Sequence, residues 1–321
     1  MSVRPAALIV TAALLVSVPA SPDEGFDAKT AAFALVFHGE RSAYRDTSVV
    51  VMPGAAVIFD AAGPAGDYTL KTDHGTAVQQ SACQFRWTAP ARPGTYELMF
   101  KGPGRKEAHD EIVVHAFVMV PATNARKGIL NGYRIGEYPS TPLKGNPIYL
   151  PPRGFIEVTK ENQDTKVSPH FTLKQFLCKQ DPAGAFPKYV VLKERLPLKL
   201  EAVLERVNEL GVKVDTLNVM SAYRTPYYNH AIGDVKYSMH QWGSAADVYV
   251  DPGKKNRMED LNRDRKVDIQ DAKFLYDEIE RMLTTKEHRR FEGGLGYYPA
   301  TSAHPPFVHV DVRGSAARWK G

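Results

Sequence analysis

The pattern of apolar and polar positions changes character along the chain. From Phe26 to about Pro121, short apolar runs such as Ser48-Val49-Val50-Val51-Met52 and Ala56-Val57-Ile58-Phe59 sit between clusters of Gly, Pro and Asp. A longer run of the same kind occupies residues 112–118. Runs of that length, broken by turn residues, predict β-strands, and their spacing predicts an all-β sandwich over residues 26–121. Farther on, the period lengthens. Leu200, Val203, Leu204, Val207 and Leu210 recur at three- and four-residue steps, which predicts an amphipathic helix over residues 196–210, stopped by Gly211. Phe274, Leu275, Ile279 and Met282 predict a second helix over residues 271–283. Residues 215–222 and 307–312 read as strands. Helices alternating with isolated strands predict an α+β domain over residues 151–321. Residues 122–150, rich in Gly, Pro, Asn and Ser, read as an ordered connector that wraps this second domain.

The length of 321 residues agrees with a multidomain chain, and 43% hydrophobic against 24% charged residues excludes a disordered or fibrous one. The N-terminus adds an address. Arg4 precedes an apolar stretch at residues 6–18, interrupted by Thr11 and Ser17, and Val18-Pro19-Ala20 supplies small residues for cleavage. This predicts a signal peptide over residues 1–20 and an exported protein, periplasmic or extracellular. The stretch is shorter than the ~20 residues a spanning helix needs, and no other segment is apolar for longer, so no stable membrane insertion is expected after its removal. The formal net charge of +5 suits an anionic polymer such as cell-wall material. Without a Lys/Arg block, no nucleic-acid partner is expected. Cys83 and Cys178 are too few for a disulfide scaffold or a Cys-rich zinc site; two free thiols are expected, and a single interdomain bridge stays open at this stage.

Chemistry concentrates in the second half. In Ser238-Met239-His240-Gln241-Trp242-Gly243-Ser244-Ala245-Ala246-Asp247 an imidazole and a carboxylate stand seven positions apart. On a straight helix that spacing rises about 10.5 Å, too far for two ligands each ~2 Å from one metal, so the chain must bend between them. Gly243 permits the bend. Asp247 leads into the apolar Val248-Tyr249-Val250, where a buried carboxylate needs a partner or a metal. In Phe307-Val308-His309-Val310-Asp311-Val312, alternation puts His309 and Asp311 on one strand face. His240, Asp247 and His309 thus make a candidate zinc set, with a fourth position left for water, as in catalytic rather than structural sites. The scattered His38, His74, His109 and His115 read as surface or hydrogen-bonded histidines. No G-x-S-x-G elbow, phosphate-binding glycine loop or dinucleotide fingerprint is present.

Ser221-Ala222-Tyr223-Arg224, the S-x-H-x-x-G-x-A-x-D segment at 238–247, and Gly293-Gly294-Leu295-Gly296-Tyr297-Tyr298-Pro299 before Phe307-Val308-His309-Val310-Asp311 occur in order. Together they resemble the M15 family of zinc D-Ala-D-Ala-type peptidases, related in fold to hedgehog signalling domains. The resemblance covers roughly residues 150–321. It implies zinc on His240, Asp247 and His309, cleavage of peptidoglycan stem peptides, and a role for Arg224 on a substrate carboxylate or developing oxyanion. The sequence departs from the family at Pro306, where many members carry a Glu as general base. Asp311 and His304 are the candidates to replace it, with Asp311 also able to orient a ligand. The departure keeps a second reading open, a non-catalytic wall-binding protein. In the first half, residues 87–98, which carry a Pro-Gly turn before Tyr96, resemble the late strands of bacterial immunoglobulin-like domains.

A second metal pattern lies at residues 260–271. Asp260, Asn262, Asp264, Asp268 and Asp271 fall at positions 1, 3, 5, 9 and 12 of a calcium-type loop, with the Lys266 carbonyl at position 7. Arg265 stands where such loops carry Gly. Calcium in a stabilising role is the expectation; the alternative is a polar loop whose Asp268 or Asp271 caps the next helix.

Overall fold

The structure is a computed structural model, and it describes residues 25–104, 109–180 and 185–321. The signal peptide expected at residues 1–20 lies outside these. The architecture is mixed α/β, with many strands and few helices.

In the first part, two sheets pack their apolar faces on one core. One runs in the order Glu40–Tyr44, Thr30–Phe37, Ala56–Ala62, Gln84–Thr88, Thr76–Gln79; the other runs Asp46–Val51, His109–Val118, Gly94–Pro103, Thr69–Lys71. Asp46–Val51 pairs with His109–Val118 in parallel, and the remaining neighbours are antiparallel. The cause is two-residue alternation. Phe33, Leu35 and Phe37 point inward from one strand, Phe85 and Trp87 from another, and they meet Leu98, Phe100 and Val114 of the facing sheet. Cys83 is exposed and Cys178 buried, and both are free thiols, so no bridge joins the two halves.

The second part is built on a five-stranded sheet in the order Asn218–Ser221, Ala245–Tyr249, Phe307–Asp311, Gly294–Tyr298, Ala317–Lys320. Helix α1 (Arg195–Glu209) packs on α3 (Ile269–Leu283), which lies on the strands Gly294–Tyr298 and Phe307–Asp311. Both helices expected from the apolar stripes are present. Helix α3 begins ahead of its first expected residue because Asp268 caps it. The Asp268 carboxylate accepts from Gln270 N at 2.7 Å, and Asp271 reaches back to Asp268 N at 2.9 Å. Both residues named as possible caps for this loop are thus in place. The strand expected last is followed by another, Ala317–Lys320, which adds in parallel beside Gly294–Tyr298. A short helix α2 (Pro226–Ala231), not anticipated from the pattern, starts at Pro226 with the Thr225 hydroxyl accepting from Tyr228 N at 3.0 Å.

Residues 138–150 lie against the second part. Tyr138 donates its hydroxyl to Gln241 O at 2.8 Å, and the Trp242 indole N–H donates to Leu150 O at 3.0 Å. Tyr149 stands edge-on to Trp242 at 5.3 Å. The two parts also meet directly. Val50 N donates to Glu194 at 2.7 Å, Arg195 pairs with Glu40 at 2.7 Å, Lys166 pairs with Asp46 at 2.7 Å, and the Tyr44 hydroxyl donates to Glu205 at 2.6 Å. Phe117 and Val120 are buried in the core of the second part.

Candidate metal centre

Sheet register places the first two donors. Ala245–Tyr249 and Phe307–Asp311 run antiparallel with Asp247 directly opposite His309, so both side chains stand on one face. The third comes from a short 3₁₀ turn, Met239–Trp242, just before the strand. Gly243 ends that turn at φ 61°, ψ 26°, and a Cβ there would meet Val191 O at 2.0 Å. Only glycine fits, and the bend turns His240 back over Asp247.

The three donors converge. His309 Nδ1 lies 2.9 Å from Asp247 Oδ1, His240 Nε2 lies 3.3 Å from the same oxygen, and the two imidazole nitrogens are 3.2 Å apart. All three side chains are buried, and they form the one group of His, Cys, Asp and Glu close enough to hold a metal among the described residues. Their protonation can be read from what lies behind them. His240 Nδ1 is 2.6 Å from the carbonyl of Ala222, which only accepts, so Nδ1 carries the proton and Nε2 turns its lone pair inward. His309 Nε2 faces the Asp311 carboxylate at 3.4 Å, which leaves Nδ1 turned toward His240 and Asp247. Two inward lone pairs beside a carboxylate repel one another unless a cation lies between them. The donor set fits a divalent metal of the nitrogen- and oxygen-binding kind.

Burial holds the His240 imidazole below its usual pKa, while Asp247 beside it opposes the shift. Burial works against charge at His309 too, but hydrogen bonds to Asp247 and Asp311 outweigh it and raise that pKa. Burial alone would raise the Asp247 carboxyl; His240 and His309 overcome it and hold Asp247 well below the usual carboxylate range.

Asp311 is fully buried and fully engaged. Its oxygens accept from Gly294 N at 2.7 Å, Arg313 N at 3.0 Å and the Arg313 guanidinium at 2.8 and 3.1 Å. A Cβ on Gly294 would come within 2.2 Å of this carboxylate, so glycine is required there. Burial would raise the Asp311 carboxyl, yet His309 and Arg313 hold it well below the carboxylate range. Asp311, named as a candidate base, is engaged on both oxygens and stands behind His309, an arrangement suited to orienting that ring. His304 packs on Phe307 at 5.0 Å, and its Nδ1 lies 2.9 Å from Pro305 O, leaving Nε2 free. It makes no hydrogen bond to the three converging donors.

Arg224 lies 14% exposed at the centre of a polar web. Its Nε donates to Ser221 Oγ at 2.8 Å, Nη1 to Asp234 at 2.8 Å and Nη2 to Asp247 at 2.5 Å. Two of its five N–H groups remain for another acceptor. All of this opens into a cleft of about 610 Å³, lined by Arg224, His240, Asp247, His309 and Arg313, with Tyr149, Tyr237, Tyr298 and Trp319 among its walls.

Sequence reasoning missed Lys199. It is fully buried, and its ammonium donates to Asp311 O at 2.8 Å. Burial lowers its pKa to about 8. The signal was there: Lys199 stands three residues after Leu196 and four before Val203, on the apolar stripe of α1. In the 260–271 loop, by contrast, the carboxylates turn to backbone amides. Asp260 accepts from Asp264 N at 3.1 Å and Arg265 N at 2.8 Å, and Asp271 accepts from Leu261 N at 2.8 Å. The expected calcium ligands Asp260, Asn262, Asp264, Lys266, Asp268 and Asp271 supply no gathered carboxylate group of metal-binding size among the described residues.

Residues 169–278 match the family model Peptidase M15. The match supports a peptidase of the M15 type in the second part of this chain. The match takes in Arg224, His240 and Asp247 and ends before His309. No curated protein matches the chain. Among solved structures, a nucleoside hydrolase-related hypothetical protein from Saccharophagus degradans, associated with carbohydrate metabolism, is similar at 13% identity and a TM-score of 0.21. That likeness covers 28% of this chain and 26% of the other, and carries no argument about either fold or function.

Proposed function

We propose that this chain is an exported zinc peptidase that hydrolyses peptide stems of peptidoglycan. The observation that carries the reading is the buried convergence of His240, Asp247 and His309 at an open cleft, with Arg224 bonded to the metal-facing carboxylate. Zinc held by those three residues would supply Lewis acidity toward a scissile carbonyl and a bound water that ionises near neutral pH. The chain's own residues do the rest. Ala222 O and Asp311 fix the two rings so that one nitrogen of each faces the metal position. Arg224, clamped on three sides, offers its two remaining N–H groups to negative charge developing on the substrate. In this reading His304, whose ring packs on the cleft-lining Phe307, is the candidate to take a proton in the stead of the missing Glu. The first part of the chain, which resembles immunoglobulin-like domains, serves in this reading to position the peptidase on the wall. The positive net charge supports that role.

The test is digestion of purified muropeptides by the zinc-loaded protein, with and without a chelator, read by mass spectrometry. Loss of a terminal alanine that the chelator abolishes establishes a carboxypeptidase; chelator-sensitive splitting of crosslinked dimers establishes an endopeptidase. In either case His304→Gln is expected to lower kcat about 10²-fold or more at unchanged zinc content. Unchanged muropeptides, with wall binding retained, would replace the catalytic reading with the wall-binding one.

A further inference from the structure

Three Lys and Arg side chains line the cleft among the described residues: Arg224, Lys236 and Arg313. The Arg224 charge is already paired with Asp234 and Asp247, its two remaining N–H groups being those that face the reacting carbonyl in the peptidase reading, and Arg313 is paired with Asp311. Lys236 makes no ion pair among the described residues. Its ammonium lies over the Tyr237 ring, 5.5 Å from the centroid, on the exposed rim of the cleft. The point from which it projects is fixed. Gln241 Nε2 donates to Lys236 O at 2.9 Å, and Ser238 N donates to Val235 O at 3.0 Å. Tyr237 stacks on the buried Trp242 at 6.3 Å and 11°, and its hydroxyl donates to Thr141 O of the connector at 3.2 Å. The lysine is thus an exposed cation on a hydrogen-bonded mount, two residues ahead of the segment that carries His240.

We infer that Lys236 recognises a carboxylate of the substrate, and that this carboxylate is the free C-terminus of the peptide, which makes the cleft selective for chain ends. The inference rests on the peptidase reading. A guanidinium already neutralised by two carboxylates offers little net charge to a third, whereas an ammonium with no such pair has three donors and a whole charge. Its exposure keeps the contribution modest, about tenfold in affinity.

The experiment compares two synthetic stem peptides ending in D-Ala-D-Ala, one with a free C-terminal carboxylate and one amidated, on the full zinc-loaded chain and its Lys236→Gln and Lys236→Arg variants. Wild type is expected to show a KM about tenfold lower for the acid than for the amide. K236Q is expected to raise KM for the acid to the amide's value while kcat and the amide's KM stay unchanged, and K236R to keep most of the preference. Equal effects of K236Q on both peptides, or none on either, would overturn the inference. If neither peptide is turned over, the peptidase reading fails on its own, and calorimetric binding of the same pair still decides about Lys236. Wild type must then prefer the acid and K236Q must not; a wild type that binds both alike, or neither, overturns the assignment.

Discussion

Asp311 illustrates how a single buried carboxylate is assigned by its neighbours. Its oxygens accept from Gly294 N, Arg313 N and the Arg313 guanidinium, and one of them faces His309 Nε2. The substitution Asp311→Asn keeps the shape but weakens the hold on His309. It is expected to lower zinc affinity about 10- to 100-fold, measured by competition with a chelating dye, with thermal stability of the metal-free protein falling as well. An effect on kcat alone, at full zinc affinity, would return Asp311 to the role of base. Gly243 gives a second prediction at this scale. Gly243→Ala adds a Cβ within 2.0 Å of Val191 O at a left-handed backbone, so the turn must shift. A loss of at least about 1–3 kcal/mol is expected from the backbone conformation alone, together with a lower zinc stoichiometry; a variant with wild-type melting and zinc content would refute the close packing.

At the scale of elements, α1 carries a lysine whose charge the fold resists. The Lys199 pKa is lowered to about 8 by burial, against 10.5 for a free lysine, so between those pH values the unfolded chain holds the proton that the folded chain has released. Stability from this group therefore rises as pH climbs from about 8 toward 10.5. Lys199→Met is expected to flatten that rise, seen as the difference in denaturation midpoint between pH 7.5 and pH 10. What the sequence revealed divides along the same lines. The stripes of α1 and α3 were readable because about four turns of period leave many matching positions. His240, Asp247 and His309 were readable because a spacing and a glycine dictated a bend, and a strand alternation dictated a face. Ala317–Lys320 was not, since four residues hold too little alternation, and its pairing partner is set by the sheet. The engagement of Asp311 was hidden because Gly294 and Arg313 reach it only through tertiary structure. The 260–271 spacing fitted both a calcium loop and a helix cap, and only the directions of Asp268 and Asp271 separate them.

Across the whole molecule, the two parts join through His38, Glu40, Tyr44 and Asp46 on one side and Glu194, Arg195, Glu205 and Lys166 on the other. The hydrogen bond from Glu194 raises the His38 pKa above its usual value, against the pull of burial. The charged pair thus adds stability below about pH 6.5 and loses it as pH rises through the raised value. With His38 half-exposed, His38→Ala is expected to cost under about 1 kcal/mol at pH 5.5 and nothing measurable at pH 8.5, in paired thermal melts. Because Phe117 and Val120 lie in the core of the second part, a single unfolding transition is expected by calorimetry. The aromatic stack of Tyr149, Tyr237 and Trp242 has a further consequence for anyone who would cut this protein into cassettes. Its first member belongs to the tether and the others to the peptidase segment, so the tether is also a piece of the cleft wall. A fragment begun at residue 151 would keep every metal donor and lose one side of the groove. One begun near residue 117 would carry its own wall and keep Phe117 and Val120 in the core they complete.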